Sequence, residues 1–333
     1  MDVALNAAGS DLPEIPHHHI GDAGMAMLAT VDPARFQAVM QSGLTHYGAG
    51  VLWAGDKVSR CWLRRNANPA YDDIAEIARA AGIPGAFLLN LSYEWTCTSS
   101  TGPDPSGSGN RLLRTLDWPL DGLGRNIVVA GCEGPAGPYE NITWPGFAGV
   151  ATAMAPGRFS AAINQPPMRR WTFSCWLDWG VNRLRLWRRR VLPPVHLLRR
   201  VFETCDTYTA AKRMLTESPL AMPAFFTLSG TAPEDGCVIE RTEDAAAVRS
   251  APASVANHWI GIDQPGRVRG VDSLGRFDLM EVLRDDATDD FSWVQPPIRN
   301  ETTRLAVIAN AGRGILTVQG WENDGPATRI LRL

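Results

Sequence analysis

Leu88-Leu-Asn-Leu-Ser-Tyr-Glu-Trp-Thr-Cys97-Thr-Ser-Ser100 runs into a turn rich in Gly, Pro and Ser, and the chain then continues as Arg114-Thr-Leu-Asp117-Trp118. A cysteine in a small-residue, apolar run is by itself ordinary packing. Here an Arg and an Asp follow on what reads as the second strand of a hairpin. The two-residue period of a strand sets either 114 and 116 or 115 and 117 on one face. That company, rather than the cysteine, marks the stretch.

Upstream, Asn68-Pro69-Ala-Tyr71-Asp-Asp-Ile74-Ala-Glu-Ile77-Ala-Arg-Ala-Ala-Gly82 has Pro and paired acids at its start, apolar residues at helical spacing and Gly at its stop. This predicts a helix that leads through Ile83-Pro84 into the Cys97 region. Asp32-Pro33 opens another, to about Gly43. Residues 1–30 read as an irregular lead-in with one strand, and His17-His18-His19 as a surface loop. Three consecutive histidines point in different directions and lack partners at ligand spacing, so no metal is expected.

Downstream, strands are expected at 126–130, 148–154 and 158–164, with a turn at Pro156-Gly157. Further strands are expected at 224–229, 236–241, 305–309 and 314–319, with helices at 207–217 and from Gly275-Arg276. Residues 171–200 place Trp171, Trp176, Trp179 and Trp187 among Arg183, Arg185, Arg188, Arg189, Arg190, Arg199 and Arg200. That composition fits a solvated helix pair with arginine stems packed on tryptophans, or contact with an anionic lipid surface through Arg183–Arg200. Charges interrupt every apolar run, which excludes a transmembrane span there.

The 333 residues, 45% hydrophobic, suffice for a full core, and no repeat or linker divides them. With 32 Lys+Arg against 35 Asp+Glu the formal charge is -3, so there is no basic field to hold nucleic acid. Six dispersed cysteines (61, 97, 132, 175, 205 and 237) form neither a zinc motif nor a disulfide framework. The first residues, Met-Asp-Val-Ala-Leu-Asn-Ala-Ala-Gly-Ser-Asp, lack the apolar core of a secretory signal, so the expected location is cytoplasmic, with an exported form as the alternative. Nothing in the sequence reports on oligomeric state.

Asn90-Leu-Ser-Tyr-Glu-Trp-Thr-Cys97-Thr-Ser resembles the junction of the acid ceramidase and N-acylethanolamine acid amidase family, within the choloylglycine hydrolase group of N-terminal-nucleophile hydrolases. Arg114-Thr-Leu-Asp117-Trp118 is similar to the family's Arg-Asn-(Leu/Met)-Asp-aromatic strand. Phe147 to Ser160, Pro223 to Arg241 and Gln295-Pro-Pro-Ile-Arg-Asn-Glu-Thr-Thr303 resemble its later hairpins and C-terminal strand entry. The likeness covers roughly residues 70 to 320.

The resemblance implies an α+β, four-layer αββα sandwich and a chain that cuts itself between Thr96 and Cys97. An α fragment (1–96) and a β fragment (97–333) would then make one domain. A new N-terminal cysteine carries its own base, an α-amine of pKa about 7.7–8.0, so thiol and base share one residue. By resemblance Asp117 holds that amine and Arg114 stands beside the thiol. Asn257 donates its side-chain amide to the oxyanion, and Asn164 supplies a backbone N–H to the same hole. Arg276 is the counterpart of the family's late arginine, with Arg267 and Arg269 as competitors.

Two departures stand out. The Cys97–Arg114 spacing is one residue longer than the family's, placing an insertion in the turn at 102–110. Trp176-Leu-Asp178-Trp179 stands where the lipid amidases carry a glutamate tied to self-cleavage: either Asp178 is its substitute or the contact is absent, and in both cases the pocket, with Trp176 and Trp179 as candidate residues, is rebuilt. The implied activity is a cofactor-free cysteine amidase acting on an N-acyl amide through an acyl-thioester. Trp, Leu and Phe across 171–226 favour a lipophilic acyl group, at about 0.8 kcal/mol per buried methylene. An acyltransferase passing the acyl group to an amine, and a non-catalytic binding protein on the same fold, are the alternatives.

Overall fold

Two sheets stack face to face in the computed structural model, which describes residues 12–92 and 94–333. Met1–Asp11, read above for a leader, and Tyr93 of the junction motif lie outside the described residues. The eight-stranded sheet runs, from edge to edge, through His17–Gly21, Val128–Gly134, Gly137–Thr143, Thr152–Ala155, Phe159–Asn164, Ala224–Ser229, Gly236–Arg241 and Ala246–Ser250. The seven-stranded sheet runs through Ala253–Val255, Thr96–Pro103, Asn110–Asp117, Thr303–Asn310 and Ile315–Glu322, and two short strands, Gly325–Pro326 and Leu331–Arg332, both pair with the last of these.

Helices cover both outer faces, giving the expected four αββα layers. Pro194–Thr204 and Tyr208–Glu217 lie on the eight-stranded sheet, and Ser273–Leu283 lies on the other. Leu113, Ala306, Ile308 and Trp321 of the seven-stranded sheet pack there against Met280, Phe291 and Trp293. The next residues along each strand face inward. Between the sheets, Leu116 and Val307 join the core with Phe159 and Phe226, and around them polar groups are paired: Ser99 Oγ donates to Asn164 Oδ1 (2.7 Å), and Thr101 and Ser229 donate to Asn110 Oδ1 (2.6 and 2.8 Å). Cys97 belongs to this inward row.

The helix predicted at 68–82 spans Tyr71–Ala81, with Asp72 and Asp73 in its first turn, Ile74 and Ile77 buried, and Gly82 left-handed at φ 65°. Pro33–Tyr47 is capped by Asp32, whose carboxylate accepts from the Arg35 N–H at 3.2 Å. The strands Gly137–Thr143, Ala246–Ser250 and Ala253–Val255 add to those expected, and two further elements differ in kind. The histidine run is an edge strand, not a loop: His17–Gly21 pairs in parallel with Val128–Gly134, and His17 Nε2 reaches Glu140 Oε2 at 2.9 Å. Ala49–Arg65 forms a helix that Gly50 and Gly55 conceal in the sequence. Burial of Leu52, Trp62 and Leu63 outweighs that propensity cost, and Gly55 leaves room for Leu88.

The Trp/Arg region is a helix pair, Cys175–Arg188 and Pro194–Thr204. The second helix is not solvated, since it buries Val195, Leu198, Val201 and Phe202. Arg199 also leaves the expected lipid-facing stripe, pairing with Asp73 (2.6 Å) and Glu203 (2.8 Å). Residues on both sides of the Thr96–Cys97 bond share one core, which joins Ile20, Phe36, Ile77 and Trp95 to Leu116, Phe159, Phe202 and Val307.

Candidate active site

Thr96 and Cys97 are the first two residues of an inner strand, opposite Asp117 and Leu116. Strand alternation turns the Cys97 thiol inward, where it meets Arg114: Nη2 donates to Sγ at 2.9 Å, and Sγ donates to the Ile163 carbonyl at 3.5 Å. Arg114 is fully buried, and its other hydrogen bonds go to neutral oxygens, of Ala151 (2.7 Å), Ile163 (3.3 Å) and the Thr152 hydroxyl. A cation held by dipoles rather than by a carboxylate leaves its field for the sulfur. Burial nevertheless pushes the thiol up to about 11, and Asp117 adds to this while Arg114 and Arg276 oppose it. In the intact chain the sulfur is a thiol.

Asp117 lies on the opposite face of the same sheet, so both alternations foreseen at 114/116 and 115/117 are used, one per face. Its carboxylate accepts from Thr303 Oγ1 (2.8 Å) and Asn300 Nδ2 (3.0 Å), with Arg276 Nη1 at 3.5 Å. Burial raises its pKa against the pull of Arg276, Asn300 and Thr303. No hydrogen bond joins it to the Cys97 N–H in the intact chain. That N–H donates instead to Asn257 Oδ1 at 3.1 Å.

Arg276 connects these groups. It is fully buried in the helix over the outer face and donates to the Cys97 carbonyl (2.8 Å), Thr98 Oγ1 (3.0 Å), Asn257 Oδ1 (2.7 Å) and the Val271 carbonyl (2.7 Å). Of the three arginines considered, Arg276 is the one that contacts Cys97; Arg267 is bound to Asp178, and Arg269 lines a cavity. Asn257 is held by its own N–H on Ser273 Oγ (2.8 Å), and its Nδ2 donates to the Gln165 carbonyl (2.7 Å). An oxyanion must compete for that donor. Asn164 is buried nearby, with Oδ1 on Ser99 and Nδ2 on the Val255 and Ala256 carbonyls (3.2 Å each).

Asp178 makes no contact with the junction itself. Its carboxylate accepts from the Trp171 N–H (3.0 Å), the Thr172 N–H (2.7 Å) and Arg267 Nε (2.7 Å). Against the desolvation that opposes them, these donors hold it down to about 2. Through Arg267 it fixes the loop ending at Gly270, which packs on Thr96: a Cβ at 270 would come within 2.8 Å of the threonine side chain. Trp179 lines the adjoining cavity, whereas Trp176 is 84% exposed and does not line it.

That cavity, about 430 Å³, opens beside the junction and is lined by Glu94, Gln165, Met168, Arg169, Trp179, Leu186, Met222, Val268, Arg269 and Gly270 among others. Among the described residues no cluster of side chains suits a metal ion. Asn300, Thr303, Ser273 and Gln165 hold the site together without having been singled out by any motif above. For the first two the signal was present in the Gln295–Thr303 motif, whereas the other two are recognisable only through partners distant in the chain.

No family model matches the chain. In sequence it is similar to the N-acylethanolamine-hydrolyzing acid amidase of Oryctolagus cuniculus, 27% identical over 179 residues, 53% of this chain and 46% of that protein. It is likewise similar to acid ceramidase of Balaenoptera acutorostrata scammoni, 31% identical over 195 residues, 52% of this chain and 47% of that protein. The matched segments span about half the length of these curated relatives. In structure it is similar to a Caenorhabditis elegans N-acylethanolamine-hydrolyzing acid amidase ortholog, at TM-score 0.52 and 20% identity, covering 71% of this chain and 100% of the other. That last likeness is one of fold.

Proposed function

Since the chain is homologous to the acid ceramidases and N-acylethanolamine-hydrolyzing acid amidases and shares the N-terminal-nucleophile hydrolase fold, we propose that it is a self-processing amidase with Cys97 as nucleophile. The observation that carries this reading is the buried cluster at one peptide bond: Arg114 on the thiol, Arg276 on the Cys97 carbonyl, and Asn257 between Arg276 and the Cys97 nitrogen.

In self-cleavage the Cys97 sulfur adds to the Thr96 carbonyl carbon. The Thr96–Cys97 C–N bond breaks as the nitrogen takes up the thiol proton, and water splits the resulting thioester, leaving a Thr96 carboxylate and a free α-amine. That amine, unperturbed at about 7.7–8.0, then serves as the base beside its own thiol. A substrate amide follows the same course: acyl transfer to sulfur, proton transfer to the departing amine, then hydrolysis. Freed from Gln165, the Asn257 amide is the oxyanion donor, a role worth about 2.7–4 kcal/mol in comparable sites. The substrate is an N-acyl amide with an apolar chain, met at a lipid surface by the exposed Phe173, Trp176 and Leu177.

Mass spectrometry of the purified protein tests this: a species beginning at Cys97 is expected, together with turnover of N-acyl amides. Cys97→Ala should abolish both. An unchanged rate in that variant would sink the reading.

A further inference from the structure

The cavity beside the junction is not uniformly apolar. Pro166, Met168, Leu186, Met222 and Val268 form one part of its lining, and Arg169, Arg183, Arg267 and Arg269 contribute guanidinium groups. Arg183 lies over the Trp179 ring, 5.3 Å from its centre. Arg267 is bound by Asp178 at 2.7 Å, and Glu94 lies close enough to support the charge of Arg269.

Arg169 is different. No carboxylate pairs with it among the described residues, and its guanidinium lies 4.2 Å from the centre of the Trp171 ring. Arg185 shares that ring at 4.7 Å, also without a carboxylate, and its Nε is buried with no hydrogen-bond partner. Two like charges on one indole gain a cation–π attraction each but repel one another. An anion reaching Arg169 from the cavity would give that guanidinium the charged partner that the described residues do not supply. The Asp178-bound loop keeps Trp171 in place, since the Trp171 N–H is one of its donors.

We propose that the amidase substrate carries an anionic group, a carboxylate or its equivalent, which Arg169 receives from the cavity with Arg185 behind it on Trp171. This rests on the amidase reading and narrows it: the substrate is an apolar chain with a charged end, not a wholly neutral lipid amide. The charge can stand on the amine side or at the far end of the acyl chain, and the experiment separates the two.

Four substrates are compared on the processed enzyme. N-dodecanoylglycine is set against its neutral counterpart N-dodecanoylglycinamide, and the ethanolamine monoamide of dodecanedioic acid against N-dodecanoylethanolamine. At least one carboxylate-bearing substrate should exceed its neutral partner in kcat/KM by about tenfold, the scale of one charge-assisted hydrogen bond. The preference should shrink as ionic strength rises. It should be largely lost in Arg169→Gln and partly restored in Arg169→Lys, with both variants first checked by thermal melting against the parent.

Equal or faster turnover of both neutral partners would overturn the inference and leave the amidase standing. A preference that survives in folded Arg169→Gln would overturn it too. No turnover of any of the four would overturn the amidase reading, and this one with it.

Discussion

On the proposed reading of Cys97 as nucleophile, Arg114 is the neighbouring residue whose loss should cost most. The thiol sits at about 11 in spite of Arg114, because complete burial penalises the thiolate more than one guanidinium at 2.9 Å favours it. Without that cation the thiol moves further from the working range. Arg114→Met keeps the apolar stem and deletes the charge. Processing and turnover should fall by on the order of 10²-fold, comparable to the loss of one preorganised electrostatic donor, and the rising limb of the rate against pH should move to higher pH. Rates within threefold of the parent would show that the thiolate is stabilised elsewhere. Asp117 acts differently: its place on the far face of the sheet, clasped by Asn300 and Thr303, makes it a support for Arg276 in the intact chain.

The Cys175–Arg188 helix carries the clearest prediction at the level of an element. Phe173, just before it, is 95% exposed, and Trp176, Leu177 and Trp179 extend the same apolar surface among Arg170, Arg183 and Arg188. Among the described residues no helix is long and apolar enough to cross a membrane, but one that exposes aromatics beside arginines suits the plane of a bilayer surface. The protein should sediment with phosphatidylserine-containing vesicles. Replacing Phe173 and Trp176 together by serine should weaken that binding by about tenfold or more, given about 1.5–3 kcal/mol per large buried side chain. Undiminished sedimentation of the double variant would count against the surface.

Elements of this size are legible in the sequence where the cause is local. The helix at 71–81 announces itself by its acids, its periodicity and Gly82, and the hairpins at 96–117, 152–164 and 224–241 by alternation, whereas the strands Gly137–Thr143 and Ala246–Ser250 are not among those expected. The strand at 17–21 does not, because it exists only through pairing with residues more than a hundred positions away. The helix at 49–65 hides behind two glycines that tertiary packing overrides. The same division runs through the site. Cys97, Arg114 and Asp117 stand out by their short spacing, but the bridge from Arg276 to the Cys97 carbonyl spans 179 residues and becomes plain only once the outer helix is laid on its sheet.

At the scale of the whole molecule, His196 links stability to pH. It lies in the buried face of Pro194–Thr204 with neither ring nitrogen hydrogen-bonded, and burial, aided by Arg199, pushes its pKa down to about 3. Unfolded, it titrates near 6.5. Below that pH the unfolded chain binds a proton that the folded chain refuses, so the contribution is intact above 6.5 and is lost progressively as pH falls toward 3. Between pH 7.5 and 5 this amounts to about 2 kcal/mol, at 1.36 kcal/mol per unit. Urea midpoints of the parent should drop across that range, and His196→Leu should flatten the drop; parallel profiles would assign the dependence to other groups.

Trp95 bears on what a cut at its neighbour would do. It is 1% exposed and packs edge-on against Trp118 (5.1 Å) and Phe147 (6.2 Å), while its side of the chain also supplies the His17–Gly21 strand and the helices carrying Phe36 and Ile77. Severing the backbone after Thr96 would therefore break one covalent bond and leave the two polypeptides interlocked, as a nicked particle of unchanged hydrodynamic size. Gel filtration would be blind to the maturation of this protein. Only a denaturant would part the pieces, and a denatured pair that had lost its covalent tether would have to find its partner again as a second-order event.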